Sequence, residues 1–145
     1  MKNNKKGFTL IELLAVIVIL AIIMVIAVPQ ILNVIENSRK SAWDSNVKLV
    51  KEGIDLGTTL SGTGFVSSSE KFSLSSTLCP AAGADITSDI TKVADISAAD
   101  TKVECTTTVT SACTGKTYEI TVTPATGGSF ANVPTGSNNP AKLCY

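Results

Sequence analysis

Histidine is absent from the chain, and aromatic residues are scarce: 1 Trp, 2 Tyr and 4 Phe in 145 residues. Without an imidazole there is no histidine general base, no Ser-His or Cys-His pair and no histidine metal ligand. GxSxG, P-loop and glycine-rich dinucleotide motifs are missing too, and the acids are scattered among Ser and Thr without recognisable pairing. An enzyme is therefore not expected. An excess of one charge is also lacking, because Lys plus Arg and Asp plus Glu both total 12. No broad basic surface exists to favour a nucleic-acid partner. The length suits one domain and is short for two.

What the chain does have is a long apolar run. Phe8 to Val28 contains only Thr9 and Glu12 as clearly polar side chains. As a helix rising ~1.5 Å per residue it would cover roughly 30 Å, the thickness of a bilayer core. Lys2, Lys5 and Lys6 precede it, and from Phe8 onward 9 basic residues face 12 acidic ones. That asymmetry orients the N-terminus toward the cytoplasm. A secretory signal peptide would have a shorter apolar region, ~7–15 residues, ending at a small-residue cleavage site. Here VIAVPQILNV leads straight into further helical pattern. A plain single-pass anchor accounts for the apolar residues but not for Glu12, an ionisable group in an oily span, which marks a functional position.

After Pro29 the pattern becomes amphipathic. Val28, Ile31, Ile35, Ala42, Trp43, Val47, Val50 and Ile54 recur mostly at three- and four-residue steps, predicting one helix from Phe8 to about Leu56, with Gly57 as its stop. Pro29 removes a backbone hydrogen bond and predicts a kink. Glu36 with Lys40, Asp44 with Lys48, and Lys51 with Asp55 are i,i+4 pairs for a solvated face.

From Gly57 the composition shifts to Ser, Thr, Gly and Ala. The stretch TTLSGTGFVSSSEKFSLSSTL reads as a loop, tacked down by Leu60, Phe65, Val66, Phe72 and Leu74. Val103–Thr110 and Lys116–Thr123 alternate, are rich in β-branched residues and flank SACTG, which predicts a hairpin with Tyr118, Ile120 and Val122 on one face and Pro124 at its end. A further short strand is expected around Phe130 to Val133. The fold class is thus α+β, a long N-terminal helix packed on a small antiparallel sheet.

Cys79, Cys105, Cys113 and Cys144 all follow the apolar run, so orientation puts them outside. With no CxxC spacing and no histidine, metal is not expected. Two disulfides are expected instead in an exported domain with a thin core. Of the three pairings, Cys105 with Cys113 across the turn and Cys79 with Cys144 are preferred. The second would close about 65 residues, worth around 4 kcal/mol in the simplest chain-entropy treatment.

KKGFTLIELLAVIVILAIIMVIAVPQI resembles the N-terminus of the type IV pilin superfamily: a short basic leader ending in Gly7, then Phe8-Thr9-Leu10-Ile11-Glu12 and an apolar span. The resemblance covers roughly Lys5 to Ile31. It implies a leader over 1–7, a transmembrane and assembly segment over 8–28, an amphipathic half over 29–56 and an extracellular head over 57–145. It further implies cleavage between Gly7 and Phe8 by a prepilin peptidase, N-methylation of Phe8, extraction by a pilus assembly machinery and a homo-oligomeric filament, without a cofactor. The new Phe8 amine and Glu12 would be one cation and one anion per copy in an oily place. Pairing them between neighbours would set the register of the stack; pairing within one chain, four residues apart, is the competing arrangement. The pilin-like subunit is the preferred reading. A pseudopilin of a type II secretion or DNA-uptake system and a static anchored adhesive domain are the alternatives. Asp85, Asp89, Asp95 and Asp100 are too dispersed for the calcium loop that would favour a pseudopilin. Unlike many members, the chain has no second proline between Gln30 and Leu78.

Overall fold

The computed structural model describes residues 7–63, 79, 81–136 and 138–145. The chain divides into two units, Met1–Ser38 and Arg39–Tyr145, and helix α1, Leu10–Thr63, contributes to both. In the first unit α1 passes through Pro29 without ending, and its Leu, Ile and Val side chains are exposed all round.

The second unit is an α+β fold, its part of α1 lying on a four-stranded antiparallel sheet. The strands are β1 (Ala84–Asp85), β2 (Thr101–Thr106), β3 (Glu119–Pro124) and β4 (Ala141–Cys144), in the spatial order β1-β2-β3-β4. A short helix α2, Thr87–Ile90, follows β1. From α1, Trp43, Val47, Val50 and Ile54 enter the core at steps of four, three and four, the stripe the amphipathic pattern predicts,. They meet Val103 and Cys105 of β2, Ile120 and Val122 of β3, and Ile86 and Ile90 beside α2. Tyr118 packs against the same cluster, so Tyr118, Ile120 and Val122 do share a face. Asn46 donates its Nδ2 hydrogen to Thr101 Oγ1 at 2.8 Å inside this core, tying α1 to β2.

Close approach of α1 to the segment after α2 depends on Gly53. A Cβ there would lie 2.6 Å from Ala94 Cβ and 2.8 Å from the Val93 carbonyl oxygen. Gly57 does not stop the helix, which runs on to Thr63. One interior glycine costs a helix only about 1 kcal/mol, and Gly57 is buried in the packed unit. Beyond it, the Thr58 and Thr59 hydroxyls donate back to the Ile54 and Asp55 carbonyls at 2.9 and 2.7 Å. The Lys51–Asp55 pair forms at 2.7 Å. Lys48, however, pairs with Glu52 at 3.7 Å, while Asp44 accepts a hydrogen from Asn138 Nδ2 at 2.9 Å.

The predicted hairpin is present as β2 paired with β3 in register Val103 to Val122 and Cys105 to Ile120, with Pro124 its last residue. The expected strand at Phe130–Val133 is instead a turn. Phe130 packs edge-on against Trp43, with ring centroids 5.4 Å apart, and Asn139 Nδ2 donates to the Val133 carbonyl at 2.8 Å. The strand beyond β3 is β4, too short for its alternation to stand out in sequence. The expected loop with tacks at Phe65, Val66, Phe72 and Leu74 lies outside the described residues, as does the Leu60 side chain.

The preferred cysteine pairing is corrected. Cys79 bonds Cys105 and Cys113 bonds Cys144, each pair with Cα atoms 5.3 Å apart. The pleat of the sheet decides this. Residues directly opposite on paired strands share a face, and the register places Cys105 beside Ile120 and Ile120 beside Leu143. These three point toward α1. Cys144 is the next residue along β4, so it points to the other face, with its partner Glu119,. A 3₁₀ turn at Ser111–Cys113 brings Cys113 to that outer face. Cys105 and Cys113 are near in sequence but on opposite sides of the sheet, which forbids the expected bridge. Buried Cys79 takes Cys105 from the core side.

Candidate functional site

The residues singled out by sequence cluster at the start of α1. Gly7 and Phe8 precede the helix in non-helical backbone, and Phe8 is 92% exposed. An added Cβ at Gly7 would meet nothing within 4 Å, and its φ lies outside the left-handed range. Among the described residues, nothing therefore requires glycine at that position.

Thr9 is the N-cap of α1 and Glu12 its third helical residue. The Thr9 N–H donates to Glu12 Oε2 at 3.0 Å, and the Thr9 hydroxyl donates to the same oxygen at 2.9 Å. In return the Glu12 N–H reaches Thr9 Oγ1 at 3.3 Å. This reciprocal arrangement is a capping box, in which two side chains satisfy backbone donors that the first helical turn leaves without partners. Glu12 is thus engaged within its own chain by Thr9. The Phe8 nitrogen here is an amide and carries no charge to pair with. The T-x-x-E spacing of Thr9 and Glu12 was legible in the sequence as a helix start; Thr9 is the capping partner that the reading of Glu12 as a lone acid overlooked.

Downstream of the cap, the large side chains from Leu10 to Ile35 stand exposed, Leu20 at 47% and Val25 at 77% among them. Among the described residues there is one helix long and apolar enough to cross a membrane, and this is it. Pro29 lies within α1.

The other charged groups of the second unit have local tasks. Asp85 accepts from the Thr87 hydroxyl and N–H at 2.7 and 3.0 Å, and these bonds hold its carboxyl below the usual range. Asp89 pairs with Lys92 at 2.8 Å. Asp100 accepts the Ser129 N–H at 2.7 Å, which lowers its carboxyl as well. Burial and the neighbouring Asp55 carboxylate push the Tyr145 hydroxyl well above its ordinary value. Among the described residues no group of three or more His, Cys, Asp or Glu is placed to hold a metal ion. The four cysteines are all taken up in the two bridges.

Residues 2–28 match a family model described as the prokaryotic N-terminal methylation motif. No curated protein and no solved structure matches the chain. The matched segment contains Gly7, Phe8, Thr9, Glu12 and nearly all of the exposed apolar run. It gives the chain the front end of a type IV pilin-like prepilin, and the α+β unit that follows fits that architecture. Such a motif implies processing by a prepilin peptidase and assembly in a pilus or secretion system, and it fits a membrane-anchored precursor.

Proposed function

We propose that the chain is the structural subunit of a type IV pilus filament. In this reading the peptide bond between Gly7 and Phe8 is hydrolysed at the cytoplasmic face, the new Phe8 amine is methylated, and mature copies leave the bilayer to pack helix on helix. The observation that carries it is the contrast between the two units. Leu10 to Ile35 leave their apolar side chains without cover, whereas the second unit has a closed core and two disulfides. A segment so exposed needs lipid first and other helices later. Glu12 stays engaged with Thr9 until a neighbour's Phe8 amine replaces that contact and sets the axial offset between copies. The N-terminus lies in the cytoplasm before processing, and the disulfide-bearing unit lies outside in the filament.

The test is the N-terminus and form of the exported protein. Surface fibres labelled by an antibody to the second unit, whose subunit begins at methylated Phe8, support the reading. Short labelled structures confined to the envelope would select a pseudopilin, and a chain still carrying Met1–Gly7 on export would leave a tethered protein. Gly7→Val sharpens the test because glycine has no steric duty here. Uncut, membrane-held precursor is expected, and a normally trimmed product would refute the cleavage.

A further inference from the structure

The two disulfides differ in their surroundings. Cys79 and Cys105 are both fully enclosed in the core cluster, so no outside sulfur reaches that bond while the core is closed. The Cys113–Cys144 bridge lies on the other face of the sheet. Cys144 is only half-buried, and its sulfur sits 3.6 Å from the Ala112 carbonyl oxygen in an exposed setting. Ser111, Ala112 and Thr114 are exposed as well, whereas Cys113 itself is buried. Cys144 is therefore the sulfur open to attack. Noncovalent contacts duplicate this outer bridge, because the connection from β2 to β3 is pinned on both sides of Cys113. Before it, the Thr110 N–H and hydroxyl donate to Glu119 at 2.7 and 2.6 Å, and Lys142 of β4 donates to the same carboxylate at 2.7 Å. After it, the Thr117 N–H donates to the Tyr145 carbonyl at 2.8 Å, one residue beyond Cys144. Tyr118 and Tyr145 exchange two further backbone bonds at 2.9 and 3.0 Å, and β4 is paired with β3 along its length. Opening the outer bridge would leave its two sulfurs side by side.

We propose that the Cys113–Cys144 bridge is a reversible thiol–disulfide exchange site for a low-molecular-mass thiol. The thiolate of the small molecule attacks Cys144 Sγ and forms a new S–S bond there. The Cys144–Cys113 bond breaks, and its electron pair leaves with the Cys113 sulfur, which takes a proton from water. The product is a mixed disulfide on Cys144 beside a free Cys113 thiol, and the exchange is redox-neutral overall. In the reverse step the Cys113 thiolate, kept in place by the Thr110 and Thr117 contacts, attacks Cys144 Sγ and expels the small thiol. Access decides which of two bridges exchanges: the outer one opens, and the enclosed Cys79–Cys105 bond keeps the core tied throughout. No second copy takes part, so the site stands apart from the filament reading.

The exported protein, purified from producing cells, is incubated with reduced glutathione at mildly alkaline pH, alkylated with iodoacetamide and mapped by peptide mass spectrometry. One glutathionyl group on Cys144, an alkylated Cys113 and an intact Cys79–Cys105 link are expected, with the circular dichroism of the second unit unchanged. Removing glutathione before alkylation should restore the Cys113–Cys144 link and clear the adduct. In a parallel time course dithiothreitol should open the outer bridge at least about tenfold faster than the inner one, the difference that access makes. No glutathionyl group on Cys144, or equal modification of Cys79 or Cys105, overturns the proposal. Equal opening rates for the two bridges overturn it as well. So does loss of the circular dichroism signal in step with the adduct, or a reclosed chain with other pairings, because either would show that the contacts around Thr110 and Thr117 do not hold the opened site.

Discussion

Glu119 and Lys142 meet at 2.7 Å on the sheet face opposite α1, brought together from β3 and β4. The other Glu119 oxygen accepts the Thr110 N–H at 2.7 Å and the Thr110 hydroxyl at 2.6 Å. The carboxylate thereby holds the connection between β2 and β3 beside the Cys113–Cys144 bridge. Burial pushes the Glu119 carboxyl up, but the Lys142 ammonium and the two Thr110 donors overcome it and hold it at about 2.

A carboxyl depressed in the folded state contributes stability above its unfolded value and loses it as pH falls toward the folded one. For Glu119 that window runs from 4.5 down to about 2. Acid titration of the second unit, followed by circular dichroism, should show stability falling through this range, and E119Q should flatten that part of the curve. At neutral pH E119A should cost about 1–3 kcal/mol, chiefly from the Thr110 donors left without an acceptor. The Coulomb share is smaller, since the Lys142 side chain is 35% exposed,. Equal acid sensitivity in E119Q and the parent would overturn this assignment.

Gly53→Ala should destabilise the second unit even though alanine is the better helix former. The added methyl would meet Ala94 Cβ at 2.6 Å and the Val93 carbonyl at 2.8 Å, and backbone cannot move aside as a flexible side chain does. Overpacking of this kind costs about 1–3 kcal/mol, more than the ~1 kcal/mol that helix propensity returns. Urea denaturation measures the difference. Lys48→Ala, at a side chain 75% exposed, should leave the midpoint nearly unchanged, and a neutral or stabilising Gly53→Ala would show that α1 and the Val93–Ala94 segment are not in contact.

Peptide mapping of the exported protein without reduction should recover Cys79 linked to Cys105 and Cys113 linked to Cys144. Replacing Cys113 and Cys144 together with Ser should weaken the unit by about 2–4 kcal/mol and leave the Cys79–Cys105 link intact. A Cys105–Cys113 peptide would contradict the register of β2, β3 and β4.

Glu12→Ala should leave the folding of the second unit unaltered, because every contact of Glu12 described here is with Thr9. It should impair fibre growth, read as fibre mass per cell against total subunit by electron microscopy and immunoblotting. Glu12→Gln, which keeps an acceptor for Thr9 but no charge, separates capping from pairing. Fibres restored by Gln but not by Ala would assign Glu12 to the helix start alone.

Much of this molecule follows from the chain without its fold. The basic front, Gly7-Phe8, the acid at Glu12 and the oily span are local and contiguous, so their chemistry survives in one dimension. The stripe of Trp43, Val47, Val50 and Ile54 was equally legible, because helical periodicity maps spacing directly onto a face. The Thr9–Glu12 box was legible too, in a three-residue spacing. Cysteine pairing belonged to the tertiary structure alone. It depends on which way each side chain leaves a pleated strand, and a shift of one residue, from Leu143 to Cys144, turns it to the other side of the sheet. The helix end likewise moved from Gly57 to Thr63 because packing and threonine back-bonds outweighed the modest cost of one glycine. Short-range pattern settled what each segment would be, and long-range contact settled which segments met.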